Sequence, residues 1–443
     1  MEYISKAEDW VIKLYPEENE NTNYKLSDYA IIIPYNDGYI LFHTITWSMY
    51  FLSQEEYENI ISNSLLMKNK IIIPDNINEK EIAKKVYLER ATTKIEPYKS
   101  IKEFVIFPTN ECNANCFYCY EKNKKGVMSI ETAQKVVKFI KKHSHGKIKI
   151  SWFGGEPLKN TPIIDYISDE LQKENIDFTS FITTNGSLFN KDLIKKAENN
   201  WKVTNLFITI DGPEKIYNKF KNYENFTINP FETVINNINN ILEYTKIPIH
   251  IRINLEKENI DYVDELITYL DENLKPYNDN QCNCFFKLVY QISDDIDFLK
   301  KENILEKFKK LKNKYIPKEI IKKHDLINCM VDSCQGITIT PDGSLHNCEH
   351  NSDMNKIGTL DTDITEKDII AKSRNKDTKS LEFCLNNKCK LLPLCERFDS
   401  CKTNPRCTKI NLMEFENQEF IEKLKNTADY YFQKLNEIKK GEE

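Results

Sequence analysis

Residues 103–119 read EFVIFPTNECNANCFYC: an apolar run, Glu103 to Thr109, followed at once by Cys112, Cys116 and Cys119 in a C-x3-C-x2-C spacing. A run rich in Phe, Val and Ile that ends in a polar loop has the pattern of a β-strand, here one that presents thiols at its C-terminal end. Five more such runs follow, Lys147 to Phe153, Asp177 to Thr183, Leu206 to Ile210, Pro248 to Leu255 and Cys284 to Ile292, with amphipathic helical stretches between them. This alternation is the signature of βα units around a parallel sheet. Helix starts are legible too. Ser129 caps a helix whose Ile130, Ala133, Val137 and Ile140 share one face, and Asn229 with Pro230 opens one that carries Val234, Ile238, Ile241 and Leu242. Six units predict an α/β fold, a partial (β/α)6 barrel, with its chemistry at the C-terminal ends of the strands.

The full chain of 443 residues exceeds one ordinary core, and two or three domains are expected. The net charge of −6 is spread along it, and lysine-rich stretches such as Lys307 to Lys314 alternate with apolar residues as solvated helix faces do. No nucleic-acid partner is expected. Met1 to Pro16 carry acidic residues and no apolar signal segment, and no later run is long enough to span a bilayer. These features predict a soluble, cytoplasmic protein with no membrane partner. Thiols stay reduced in that compartment, so the 13 cysteines read as metal ligands or catalytic groups rather than disulfides. They form three sets: the loop triad, the pair Cys282 and Cys284, and eight from Cys329 to Cys407.

Three thiolates can hold three corners of a four-iron cluster and leave the fourth iron open. A structural zinc site is the alternative, but it requires a fourth ligand, and none lies nearby in sequence. After the second strand come Gly154, Gly155, Glu156 and Pro157, where a glycine pair permits close backbone approach to a ligand or makes an ordinary strand-to-helix turn. The third strand leads into Thr184, Asn185, Gly186 and Ser187, and the fourth into Asp211, Gly212 and Pro213, which are also turn signals.

Cys112-x3-Cys116-x-Tyr118-Cys119 after a strand resembles the cluster-binding loop of the radical S-adenosylmethionine (radical SAM) superfamily. The resemblance implies that the open iron chelates the amino and carboxylate groups of S-adenosylmethionine and that Tyr118 lies against its adenine. It further implies that Gly154, Gly155 and Glu156 hold the methionyl amino group. Thr184, Asn185, Ser187 and Asp211, with Arg252 and Asn254 on the fifth strand, would reach the ribose hydroxyls and neighbouring groups.

The third set comprises Cys329, Cys334, Cys348, Cys384, Cys389, Cys395, Cys401 and Cys407, enough to close two further four-iron clusters, with paired zinc ribbons as the alternative. It resembles the SPASM auxiliary-cluster domain of radical SAM enzymes that act on peptides. By that resemblance Cys329, Cys334, Cys348 and Cys401 hold the nearer cluster, and Cys384, Cys389, Cys395 and Cys407 the outer one. The gaps Cys384-x4-Cys389 and Cys401-x5-Cys407 depart from the commonest spacing. Pro341-Asp342-Gly343-Ser344 reads as a hairpin turn. Cys282 and Cys284 share one face if the last strand already includes both, and they read as small buried hydrophobes. Glu349, next to Cys348, is a candidate base by resemblance to sulfatase-maturing relatives, or else a surface carboxylate in a polar loop.

Upstream, Ala30 to Tyr35 and Tyr39 to Thr44 flank the hairpin signal Asn36-Asp37-Gly38; a helix from Gln54, a strand from Lys70 to Pro74 and a helix from Asn78 to Arg90 follow. This α+β segment is similar to the peptide-recognition domains of peptide-maturing radical SAM enzymes, which implies leader-peptide binding at a sheet edge; a small capping domain is the alternative. The expected organisation is therefore an α+β domain at 1–95, the barrel at 100–295, a helical bridge at 296–325, a SPASM domain at 326–410 and a terminal helix at 411–443.

Together these resemblances imply an oxidoreductase with three 4Fe-4S clusters, one binding S-adenosylmethionine and two auxiliary. It would generate a 5′-deoxyadenosyl radical and modify a precursor peptide bearing a leader, with a flavodoxin- or ferredoxin-type electron donor. Thioether formation from a cysteine is the first expectation. Carbon-to-carbon crosslinking, formylglycine formation in a sulfatase and a non-catalytic zinc adaptor are the alternatives.

Overall fold

A computed structural model describes residues 2–16, 23–93, 100–119, 121, 125–224, 228–274, 281–289, 295–316, 318, 320–321, 330, 335–349, 356–362, 364–365, 368, 379–389, 391–394 and 410–441. The chain divides into two compact units, each assembled from separated segments. Unit 1 holds residues 1–96, 318–332 and 376–443, and unit 2 holds residues 97–317 and 333–375.

In unit 1, β1 (Glu2–Ser5), β3 (Ala30–Tyr35), β4 (Gly38–His43) and β5 (Ser48–Ser53) form an antiparallel sheet in the order β1-β5-β4-β3, while β2 (Tyr24–Leu26) pairs with β6 (Ile72–Pro74). Asn36 turns the β3–β4 hairpin with φ of 51°, the left-handed conformation that Asn tolerates. The helices of this segment are α1 (Asp9–Ile12), α2 (Gln54–Glu58), α3 (Ser64–Lys68) and α4 (Glu79–Thr93). Ser53 and Glu56 make a capping box at the start of α2.

Unit 2 is a partial (β/α)6 barrel. Its strands are β7 (Glu103–Thr109), β8 (Ile148–Gly154), β9 (Phe178–Thr184), β10 (Val203–Thr209), β11 (Ile249–Leu255) and β12 (Cys282–Leu288), all parallel and neighbouring in chain order. The crossovers contain α5 (Ile130–His143), α6 (Thr161–Lys173), α7 (Lys191–Asn199), α8 (Glu214–Lys221), α9 (Pro230–Tyr244) and α10 (Val263–Asn273), with α11 (Ile296–Lys301) and α12 (Ile304–Tyr315) after the last strand. Ser129 Oγ accepts from the Thr132 amide and Asn229 from the Phe231 amide, as the capping pattern predicts. Cys282 and Cys284 are buried in β12.

β13 (Gly336–Ile339) and β14 (Ser344–His346) form the hairpin about Asp342-Gly343, and β15 (Lys356–Thr359) pairs with β14. β13 also runs parallel to β7, with Gly336 opposite Glu103, so the hairpin extends the barrel sheet at its first strand. In unit 1 the chain closes with α13 (Lys379–Asn386) and α14 (Ile410–Gly441). Among the described residues no helix is long and apolar enough to cross a membrane.

Candidate active site

The cysteine loop leaves β7 through Thr109, whose hydroxyl donates to the Gly126 carbonyl and accepts from the Glu111 amide, both at 3.0 Å. Cys112, Cys116 and Cys119 are each partly exposed, and the Cys119 amide donates to the Cys116 carbonyl at 3.1 Å. The end of α8 and the segment after it grip this loop: Ala114 bridges to Tyr223, and the Asn115 amide donates to the Lys221 carbonyl at 2.8 Å. Among the described residues no three His, Cys, Asp or Glu side chains gather round a single metal ion. A mononuclear zinc site gathers its thiolates about 2.3 Å from one ion, whereas a four-iron cluster takes one thiolate per iron.

The end of β8 lies directly against the start of that loop. A Cβ on Gly155 would stand 2.3 Å from the Glu111 carbonyl oxygen, and one on Gly154, where φ is +111°, 2.4 Å from that of Thr109. Glycine is required at both. The Glu156 amide donates to the Glu111 carbonyl at 2.8 Å, while the Glu156 carboxylate turns inward. It accepts from Thr184 Oγ1 at 2.7 Å, the Asn185 amide at 2.8 Å and the Leu158 amide at 3.2 Å. Burial pushes this carboxyl up to about 6, against the pull of those donors. Asn185 is thereby fixed with its Nδ2 2.8 Å from Asn113 Oδ1 and 3.9 Å from Cys112 Sγ, and its Oδ1 accepts from the Ser187 hydroxyl at 2.6 Å.

Beyond β10 a second network forms around Asp211. Its Oδ2 pairs with the Lys221 ammonium at 3.0 Å and accepts from the Tyr118 hydroxyl, and its Oδ1 accepts from the Asn254 amide at 2.9 Å. Lys221 also donates to Tyr118 and to Thr209 Oγ1, each at 2.7 Å. Lys221 and Asp211 are only 2% and 1% exposed. Burial opposes the ammonium charge, yet Asp211, and behind it the Cys116 and Cys112 sulfurs, hold Lys221 above its usual range. Burial, then the Asp211 charge, raises the Tyr118 phenol well above its usual range, so it stays protonated. Arg252 Nε donates to Asn254 Oδ1 at 2.8 Å and extends the network along β11.

Residues 106–270 match the family model described as the radical SAM superfamily. The chain carries a radical SAM domain. An uncharacterized protein of Methanocaldococcus jannaschii is 33% identical over 178 residues, 38% of this chain and 58% of the relative, so the match spans little more than half that relative's length. The GTP 3′,8-cyclase of Clostridium perfringens is 28% identical over 311 residues, 63% of this chain and 91% of the cyclase. The solved structure of native anSMEcpe with bound AdoMet and Cp18Cys peptide aligns with a TM-score of 0.53 at 20% identity, covering 76% of this chain and 99% of that one, which shows a shared fold.

A radical SAM domain implies a 4Fe-4S cluster and S-adenosylmethionine, and the donor set fits them. Three thiols on one loop suit three irons, and the glycine cradle and the Asn185 amide stand beside Cys112. Gly154, Gly155, Glu156, Thr184, Asn185, Ser187, Asp211 and Arg252 all sit in or just after the C-terminal halves of successive strands of the radical SAM domain. The Glu156 carboxylate is engaged by protein donors, and the Tyr118 hydroxyl donates to Asp211. Glu349 follows β14. Its side chain is open at the surface yet walled by protein, so desolvation raises its carboxyl, with Arg252 near enough to draw it down and Glu103 to push it up. Cys348 lies in unit 2, whereas Cys384 and Cys389 are buried in unit 1. Cys329, Cys334, Cys395, Cys401 and Cys407 lie outside the described residues.

Lys221, Asn113 and Asn259 escaped the sequence reading. Lys221 had a signal: it follows Tyr217 by four and Phe220 by one, the buried phase of α8, while Lys219 is on the exposed side. Asn259 Nδ2 donates to the carbonyls of Asp211 and Asn254 at 2.6 and 2.7 Å, and nothing in the surrounding Glu- and Lys-rich sequence marks it.

Proposed function

We propose that this chain is a peptide maturase that joins a cysteine sulfur of a ribosomally made precursor to a carbon of another residue. The observation that carries the reading is the convergence of the Cys112–Cys119 loop, Gly155, Asn185 and Asp211 at adjacent strand ends, in a fold shared over 99% of its length with a protein solved with a bound peptide. When bound, the cluster and S-adenosylmethionine supply a 5′-deoxyadenosyl radical that takes a hydrogen atom from the substrate. Cys112, Cys116 and Cys119 hold that cluster. Gly154 and Gly155 let the backbone close on the methionyl end, Glu156 and Thr184 fix Asn185, and Asp211, Tyr118 and Asn254 wall the nucleoside side. The precursor docks through its leader on the α+β segment of unit 1.

Forming a thioether removes a hydrogen atom from carbon and a proton and an electron from the thiol. Glu349 takes the proton. The electron requires an acceptor; the eight C-terminal cysteines would hold two auxiliary clusters, which would supply one, and a flavodoxin- or ferredoxin-type protein would supply the electron that starts turnover.

The test is mass spectrometry of a short peptide encoded beside this gene, incubated anaerobically with the iron-loaded chain, S-adenosylmethionine and reductant. Loss of two hydrogens with one thiol protected from alkylation is expected, and the same loss with every thiol free would mean a carbon-to-carbon crosslink instead. Cys116→Ala is expected to form no 5′-deoxyadenosine. Glu349→Gln is expected to form 5′-deoxyadenosine but about 10²–10⁴-fold less crosslinked peptide. The similarity to GTP 3′,8-cyclase favours a second reading, a nucleotide substrate, which 5′-deoxyadenosine release driven by GTP in place of peptide would establish. Iron-free protein with bound zinc would defeat both.

A further inference from the structure

Unit 1 contains a cysteine pair whose surroundings are unusual for a hydrophobic core. Cys384, on α13, and Cys389, in the turn after it, are 1% and 2% exposed, and the Cys389 amide donates to the Cys384 carbonyl at 3.0 Å. The turn is fastened to the N-terminal segment. Thr44 Oγ1 donates to the Leu392 carbonyl at 2.7 Å, and Lys388 pairs with Asp28 at 3.1 Å. In the same packed cluster stand Tyr15 and Tyr29, 7% and 2% exposed, and neither hydroxyl has a hydrogen-bond partner among the described residues. A buried hydroxyl left unpaired is destabilising, so two in one core call for an explanation. Glu79, whose charge acts on both tyrosines, is already engaged: it accepts from the Ser27 hydroxyl on one oxygen and from the Asp28 amide on the other. Asp28 and the sulfurs of Cys389 and Cys384 also act on Tyr29.

We infer that Tyr29, with Tyr15 beside it, donates a hydrogen bond to the sulfurs of an iron-sulfur cluster held by Cys384 and Cys389, so that the N-terminal segment tunes that cluster. The inference rests on the reading that this cysteine pair ligates an auxiliary cluster. Hydrogen bonds to cluster sulfurs are among the groups that set reduction potential, because a donor stabilises the more negative, reduced state. Without the cluster, each hydroxyl is buried with no partner among the described residues.

The test uses the full chain, reconstituted anaerobically, in wild-type form and as Tyr29→Phe, Tyr15→Phe and Cys384→Ser. Iron and acid-labile sulfide are counted, and paramagnetic signals are titrated against potential. Cys384→Ser is expected to lose the iron of one cluster; full iron retention would remove the cluster reading and the inference with it. Tyr29→Phe is expected to keep its iron while one auxiliary signal shifts to lower potential and the signal that responds to S-adenosylmethionine stays in place. Unchanged potentials in both tyrosine variants, with full iron, would overturn the inference alone. The metal-free tyrosine variants are expected to resist urea as well as wild type, and a marked loss in both would show that the hydroxyls have protein partners, again overturning it.

Discussion

Lys221 and Asp211 make a buried ion pair at 3.0 Å, and its value lies in being complete. Removing one partner strands the other charge in a site almost without solvent. Lys221→Met is expected to cost about 3–5 kcal/mol in urea unfolding of the metal-free chain. The double variant with Asp211→Asn should recover much of this, because no charge is then left unpaired. Glu156 sets a pH dependence of its own. Its carboxyl titrates at about 6 in the folded chain against a reference near 4.5, so the folded state binds the proton more tightly. The contribution is therefore fully present below pH 4.5 and is lost as pH rises through 6, a change of about 2 kcal/mol. Unfolding free energies at pH 4.5 and 7 are expected to differ by about that much less in Glu156→Gln than in wild type.

At the scale of elements, the barrel was legible because each strand is an apolar run closed by polar punctuation. The first strand spans Glu103–Thr109 as read, and the other five fall within a few residues of their expected bounds. Caps were equally readable. Asn229→Ala should remove the acceptor for the Phe231 amide and destabilise the chain by about 1 kcal/mol, measured by thermal unfolding of the metal-free protein. Pairing was less legible. β13 was readable as half of a hairpin, but its parallel pairing with β7 joins residues more than two hundred positions apart, and no local pattern encodes that. Site residues were readable where a motif names them, as with Cys112 or Asp211. They were not where tertiary packing alone selects one Lys or Asn among many, as with Lys221 and Asn259.

On the scale of the whole molecule, unit 1 is closed by segments far apart in the chain. Ile31, Ile33, Phe42 and Met49 of its sheet pack with Leu424 and Ala428 of α14, and Tyr35 donates to Asp429 at 2.8 Å. Residues 1–96 expressed alone are expected to lack a cooperative unfolding transition, and adding a fragment of residues 376–443 should restore one. Independent cooperative folding of 1–96 would contradict this. The same architecture sets an order of events during synthesis. The N-terminal sheet leaves the ribosome first, but its covering helix follows more than three hundred residues later, on the order of half a minute at about 5–20 residues per second. Through that interval an apolar sheet face waits uncovered while the barrel is being made, which marks the nascent chain, rather than the finished enzyme, as the form in greatest need of a chaperone.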